Sequence, residues 1–185
     1  MLRQLRTFPN QLTLLRLVFI PFIVICVLDG AWGWALALFV LAGLSDGLDG
    51  LLARLLHQKT ELGRFLDPIA DKLLLSTLFL VLSFAHKVPW YVTVLVLSRD
   101  VCIVAISATI YATTSFRAFQ PSIYGKANTV VQVAALFFVL LRQIVAVPWT
   151  FYAARVGLWS TFALTLISGI HYAFDIGKRV HAASQ

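Results

Sequence analysis

Residues 45–71 read SDGLDGLLARLLHQKTELGRFLDPIAD and set four aspartates, Asp46, Asp49, Asp67 and Asp71, in an otherwise apolar chain. Ionisable groups at membrane depth are costly, and they mark functional sites by default. At about 100° per residue, Asp46, Asp49, Gly50 and Ala53 share one helix face, and Asp67 and Asp71 stand one turn apart on the next helix. Two helix faces therefore pool four acidic groups. Such a cluster repels itself unless hard cations neutralise it, and carboxylate oxygens are the ligands that Mg²⁺ and Mn²⁺ prefer. A site for two divalent cations is the first expectation.

On either side of this stretch the sequence is more apolar still. Of 185 residues 60% are hydrophobic, and the mean hydropathy is +0.87, which excludes an ordinary soluble domain. Six apolar stretches are long enough to cross a hydrocarbon core of ~30 Å: Asn10–Val27, Ala31–Leu56, Leu66–Ala85, Pro89–Thr113, Gly125–Val145 and Pro148–Phe174. No linker, repeat or charge block divides them. The expected fold is all-α and integral to the membrane, a six-transmembrane-helix bundle forming one domain over residues 1–185. A short amphipathic segment precedes it, with Leu2, Leu5 and Phe8 set against Arg3, Gln4 and Arg6. A frayed terminus reads the same residues equally well. Pro21 is expected to kink the first span, and the longer connections are expected at His57–Phe65 and Ser115–Tyr124.

Lys and Arg residues orient the bundle. Arg3, Arg6, Lys59, Arg64, Arg117, Lys126, Lys178 and Arg179 fall on one side, and Lys87, Arg142 and Arg155 on the other. By the positive-inside rule the first set is cytoplasmic (or faces the matrix), together with both termini and the aspartate-bearing loop. The net charge of +7 is scattered over loop ends, so it does not form a nucleic-acid-binding face. Cys26 and Cys102 lie in predicted spans and suggest neither a disulfide framework nor a zinc site. No cleavable signal peptide is expected, because the first apolar span lacks a small-residue cleavage site.

The stretch fits the pattern D-x2-D-G-x2-A-R-x8-G-x3-D-x3-D at all eight fixed positions, from Asp46 to Asp71, without a gap. In this it resembles the defining motif of the membrane CDP-alcohol phosphotransferases. The resemblance implies metal binding by Asp46, Asp49, Asp67 and Asp71, with Asp71 also acting as general base. It implies a cytidine lodged against the small-residue face of Gly50, Ala53 and Gly63, and a pyrophosphate oxygen gripped by Arg54. The reaction it implies moves a phosphatidyl group from CDP-diacylglycerol to an alcohol, using two Mg²⁺ or Mn²⁺ ions, and releases CMP. Plainer readings stand beside these. Asp46 and Asp49 can form a salt-bridge network with Arg54, and Arg54 can simply snorkel. Asp67 can cap a helix that opens at Pro68. The small residues can let helices approach closely.

The opening PNQLTLLRLVFIPF is similar to the branch containing phosphatidylglycerophosphate synthases and mitochondrial-type cardiolipin synthases. Phosphatidylglycerophosphate synthases resemble one another in S-R-E, an arginine nine residues after the serine, and G-K-x-K-T. This chain carries Ser98, Arg99 and Asp100, then Ser107, then Gly125, Lys126, Ala127, Asn128 and Thr129. Two basic residues suited to a phosphate monoester are absent, and S-R-D-V with K-A-N-T-V-V-Q is similar to the cardiolipin synthases. The implied acceptor is phosphatidylglycerol, and the alternative is glycerol 3-phosphate. Arg16, Arg99 and Lys126 are the candidates for acceptor binding. Arg99 and Asp100, being adjacent, are expected to find separate partners, whereas Asp175 and His171, four apart, can pair locally. A homodimer is the expected assembly, although no residue specifies it. A cation transporter or channel, with the four aspartates binding a permeating ion, is the remaining class, disfavoured because ion passage needs no nucleotide-sized gap.

Overall fold

The structure, a computed structural model, describes residues 8–55, 61–113 and 123–183. Among them are six helices: α1 (Phe8–Leu28), α2 (Trp32–Leu55), α3 (Glu61–Phe84), α4 (Trp90–Thr113), α5 (Ile123–Ile144) and α6 (Pro148–Ala183). The expected amphipathic segment lies outside the described residues except at Phe8. α1 runs through Pro21 as one helix. The chain was expected to stay non-helical from His57 to Phe65, but α3 starts at Glu61. A carboxylate is the residue type that the positive end of the helix dipole favours, so the helix extends past the boundary that hydropathy marks. Pro68 consequently lies inside α3, and Asp67 is not a helix cap.

Sharp turns join α1 to α2 and α3 to α4. At the end of α1 the Ala31 N–H reaches the Cys26 carbonyl at 2.8 Å and the Gly30 N–H reaches Val27 at 3.2 Å. This is the pairing of a helix end with its exit residue in left-handed backbone, and Gly30 holds φ +71° there without a Cβ penalty. α3 ends the same way: Lys87 N–H to Leu82 at 2.8 Å and His86 N–H to Ser83 at 3.0 Å. Here the exit residue is His86, at φ 56°.

α1 packs against both α2 and α3, and α5 packs along α6 over the most extensive interface. Contacts of α5 with α2 and α3, and of α4 with α3 and α6, add to the bundle. The core gathers Ile23 and Val27 of α1, Phe39 of α2, Leu78 and Phe79 of α3, Val92 and Val96 of α4, and Leu136 and Leu140 of α5. At Gly157 of α6 a Cβ would stand 3.0 Å from the Ala135 Cα of α5, so the absence of a side chain sets how closely these helices lie. Ser83 and Thr93 share a hydrogen bond of 2.5 Å between α3 and α4, and Thr93 also donates to the Phe79 carbonyl at 3.2 Å.

Large apolar side chains are exposed on all six helices, among them Phe22, Leu41, Leu73, Val101, Val130 and Val156. Among the described residues, Gly125–Ile144 and Pro148–Ile170 are long and apolar enough to cross a membrane, and Thr13–Leu28 and Trp32–Ser45 are shorter apolar helical stretches.

Candidate active site

The two described aspartates of the motif lie on α3, four residues apart, and both turn to α1. Thr13 Oγ1 donates to Asp67 Oδ1 at 2.5 Å, and Arg16 Nη1 donates to Asp71 Oδ1 at 2.5 Å. The register is simple: Thr13 and Arg16 are three apart on α1, Asp67 and Asp71 four apart on α3, and both spacings keep side chains on one helix face. Arg16 is fully buried, while the Asp71 side chain is 38% exposed. The carboxylate is thus held from within the bundle and open on its other side.

Asp46, Asp49, Gly50, Ala53 and Arg54 all fall on the last turns of α2, and Gly63 on the first turn of α3. Their side chains lie outside the described residues. Among the described residues no three metal-ligating side chains converge. Asp67 and Asp71 nevertheless suit the role: they are hard oxygen donors one turn apart, turned to the same neighbouring helix.

A second polar chain crosses the bundle beside this site. Asp100 of α4 is buried between two cations, accepting from Lys72 of α3 at 2.9 Å and from Arg99 Nη1 at 2.7 Å. Arg99 also donates through Nη2 and Nε to Ser168 Oγ of α6, at 2.8 and 3.3 Å. The expectation that adjacent Arg99 and Asp100 cannot meet is therefore corrected. The arginine side chain is long enough to fold back on its neighbour while its other edge faces Ser168. Each also has the separate partner expected of it.

The three candidate acceptor-binding residues have different surroundings. Arg16 is committed to Asp71, Arg99 to Asp100 and Ser168, and Lys126 is exposed in the first turn of α5. Asn128, two residues on and turned to the other side of the helix, is fully buried; it accepts from Thr165 Oγ1 of α6 at 3.1 Å, and its Nδ2 has no hydrogen-bond partner among the described residues. The Ser107, His171 and Asp175 side chains lie outside the described residues. Among the described residues, sequence reasoning missed Thr13 beside Asp67, and Lys72 and Ser168 beside Asp100 and Arg99.

The profile of the CDP-alcohol phosphatidyltransferase family matches residues 6–167. A cardiolipin synthase (CMP-forming) from Rattus norvegicus is 31% identical over 195 residues, covering 94% of this chain. The chain spans 62% of that relative's length. A probable phosphatidylglycerophosphate synthase from Mycobacterium tuberculosis is 35% identical, over 95% of this chain and 86% of its own length. A CDP-diacylglycerol–glycerol-3-phosphate 3-phosphatidyltransferase from Bacillus subtilis is 30% identical, over 89% of this chain and 92% of its own. The gapless eight-position motif, the helix pair that carries it and a match over most of the sequence agree: the chain belongs to the CDP-alcohol phosphatidyltransferase family.

Proposed function

We propose that the chain transfers a phosphatidyl group from CDP-diacylglycerol to phosphatidylglycerol, forming cardiolipin and releasing CMP. The observation that carries the transfer chemistry is the pair Asp67 and Asp71, set one turn apart and anchored from α1 by Thr13 and Arg16. With Asp46 and Asp49 these residues would hold two divalent cations, which neutralise pyrophosphate charge and favour in-line displacement. Arg16 orients Asp71, whose carboxylate takes the proton from the acceptor hydroxyl. The hydroxyl oxygen bonds to the phosphatidyl phosphorus as the bond from that phosphorus to the bridging oxygen breaks, and the bridging oxygen leaves with CMP. Gly50, Ala53 and Gly63 leave room for the cytidine, and Arg54 holds the pyrophosphate.

Asn128 supports the lipid acceptor. It stands where a phosphatidylglycerophosphate synthase shows a lysine, and it is a neutral amide turned inward to Thr165. A doubly charged monoester needs several charge-assisted donors, which a phosphodiester with a free glycerol end does not. Glycerol 3-phosphate is the second reading, favoured by the names of the Mycobacterium and Bacillus relatives.

The apolar side chains exposed on every helix support six membrane crossings, with the aspartates at the cytoplasmic or matrix side. The same exposed faces are available to a second copy, and a homodimer is the proposed assembly. Purified protein offered CDP-diacylglycerol and both acceptors together tests the function. Cardiolipin should dominate, and excess EDTA should abolish CMP release. Preferential formation of phosphatidylglycerophosphate would reverse the acceptor assignment, and undiminished turnover in EDTA would reverse the metal assignment.

A further inference from the structure

At the end of the bundle opposite the aspartates, three cations surround one cavity. Lys87 in the α3–α4 turn, Arg142 in the last turn of α5 and Arg155 near the start of α6 line a space of about 240 Å³, floored by Val139, Ala154 and Leu158. Seventeen helical residues separate Asp67 from the end of α3, so the cavity lies about 25 Å from the aspartates along the bundle axis. That is close to the thickness of a hydrocarbon core.

None of the three cations has a carboxylate partner among the described residues. Asp29, in the α1–α2 turn at this end, makes no ion pair with any of them. Two of them rest on rings instead: Arg142 lies 4.5 Å from the Phe151 centroid and Lys87 5.4 Å from that of Trp32. Three like charges around one open cavity with no counter-charge call for an anion. Four of the five tryptophans, Trp32, Trp34, Trp90 and Trp149, stand within three residues of the starts of α2, α4 and α6, at this same end. Such a belt marks the headgroup level of a membrane.

A second cavity of about 160 Å³ adjoins the first, sharing Pro89, Arg155 and Leu158. It continues between α4 and α6 past Tyr91, Val92, Trp159 and Phe162, with Arg155 its one charged residue. A free phosphate has no use for this extension, whereas an acyl chain does.

We propose that this end of the protein holds an anionic phospholipid of the leaflet opposite the active site, with its phosphate among Lys87, Arg142 and Arg155 and one acyl chain in the groove between α4 and α6. The proposal rests on the membrane placement given above and is separate from the transfer chemistry. The test is quenching of tryptophan fluorescence in nanodiscs by chain-brominated phosphatidic acid, which lacks an acceptor hydroxyl, against chain-brominated phosphatidylcholine. The intact chain should favour the anionic lipid. The double variant Arg142→Gln, Arg155→Gln should lose that preference by about fivefold per arginine, while Arg142→Lys, Arg155→Lys retains it and CMP release stays unchanged in both.

Equal quenching by the two lipids in the intact chain, or a preference that survives the glutamine variants, would overturn the site. No quenching by either lipid would overturn the membrane placement along with it. Inorganic phosphate should not displace the brominated lipid. Displacement at millimolar phosphate would turn the site into one for free phosphate and overturn the lipid assignment.

Discussion

The bond between Arg16 and Asp71 is measurable as a coupling energy. Arg16→Met keeps most of the buried stem and removes the guanidinium, and Asp71→Ala removes the carboxylate. A hydrogen bond to a charged group contributes about 1.5–3 kcal/mol. Arg16 is fully buried but the Asp71 side chain is 38% exposed, so water reaches the carboxylate once the bond is broken. The bottom of the range therefore applies, and the coupling in a double-mutant cycle should be about 1.5 kcal/mol. Arg16→Met alone should lower the Tm in detergent by about 3–6 °C for a chain of this size. Its effect on catalysis should be larger, because a carboxylate misplaced by ~1 Å can cost about a hundredfold in rate. Steady-state CMP release separates the two roles open to Arg16. An arginine that positions Asp71 lowers kcat and leaves the acceptor KM unchanged, whereas one that binds acceptor raises KM. Additive stabilities within about 0.5 kcal/mol, together with normal kcat in Arg16→Met, would refute the reasoning.

Three further outcomes are expected. Ala53→Leu should abolish CDP-diacylglycerol binding with the fold intact, since leucine suits a helix; unchanged donor affinity would place the nucleotide elsewhere. Gly157→Leu should lower the thermal midpoint sharply, because even a Cβ meets Ala135 at 3.0 Å and overpacking costs about 1–3 kcal/mol, more than the ~1 kcal/mol gained in helix propensity; an unchanged midpoint would show that α5 and α6 separate freely. His86→Gly should raise the midpoint by a degree or two, since left-handed backbone costs a non-glycine residue about 1–2 kcal/mol and glycine's greater chain entropy offsets only part of this; a lower midpoint would show that His86 makes a contact worth more than its strain.

Hydropathy placed ten of the twelve helix ends within two residues of those observed, because long apolar runs and turn residues such as Gly30 and Pro148 punctuate this chain clearly; α6, expected to end at Phe174, continues to Ala183 through polar residues that hydropathy does not count as helix. It misplaced the start of α3, where polar residues belong to the helix as well as to the loop. The motif located the aspartates but not what holds them. Thr13 and Arg16 precede Asp67 and Asp71 by 54 and 55 positions, and no local pattern carries a contact of that separation. Arg16 therefore read as a cation for substrate, and a helix cap stayed open as the plainer reading of Asp67 before Pro68 beside metal binding. Arg99 and Asp100 were misread because the rule for adjacent helical residues concerns Cβ directions, whereas a guanidinium has a long arm.

The packing of α1 on both α2 and α3 also bears on how the protein is made. The bonds from Thr13 and Arg16 close within the first 71 residues, before α4, α5 and α6 exist. At about 5–20 residues per second, synthesis of the remaining hundred or so residues takes roughly 5–20 s. Throughout that interval α1 and α3 have each other as partners, and Asp67 and Asp71 need not wait in the bilayer as unpaired acids.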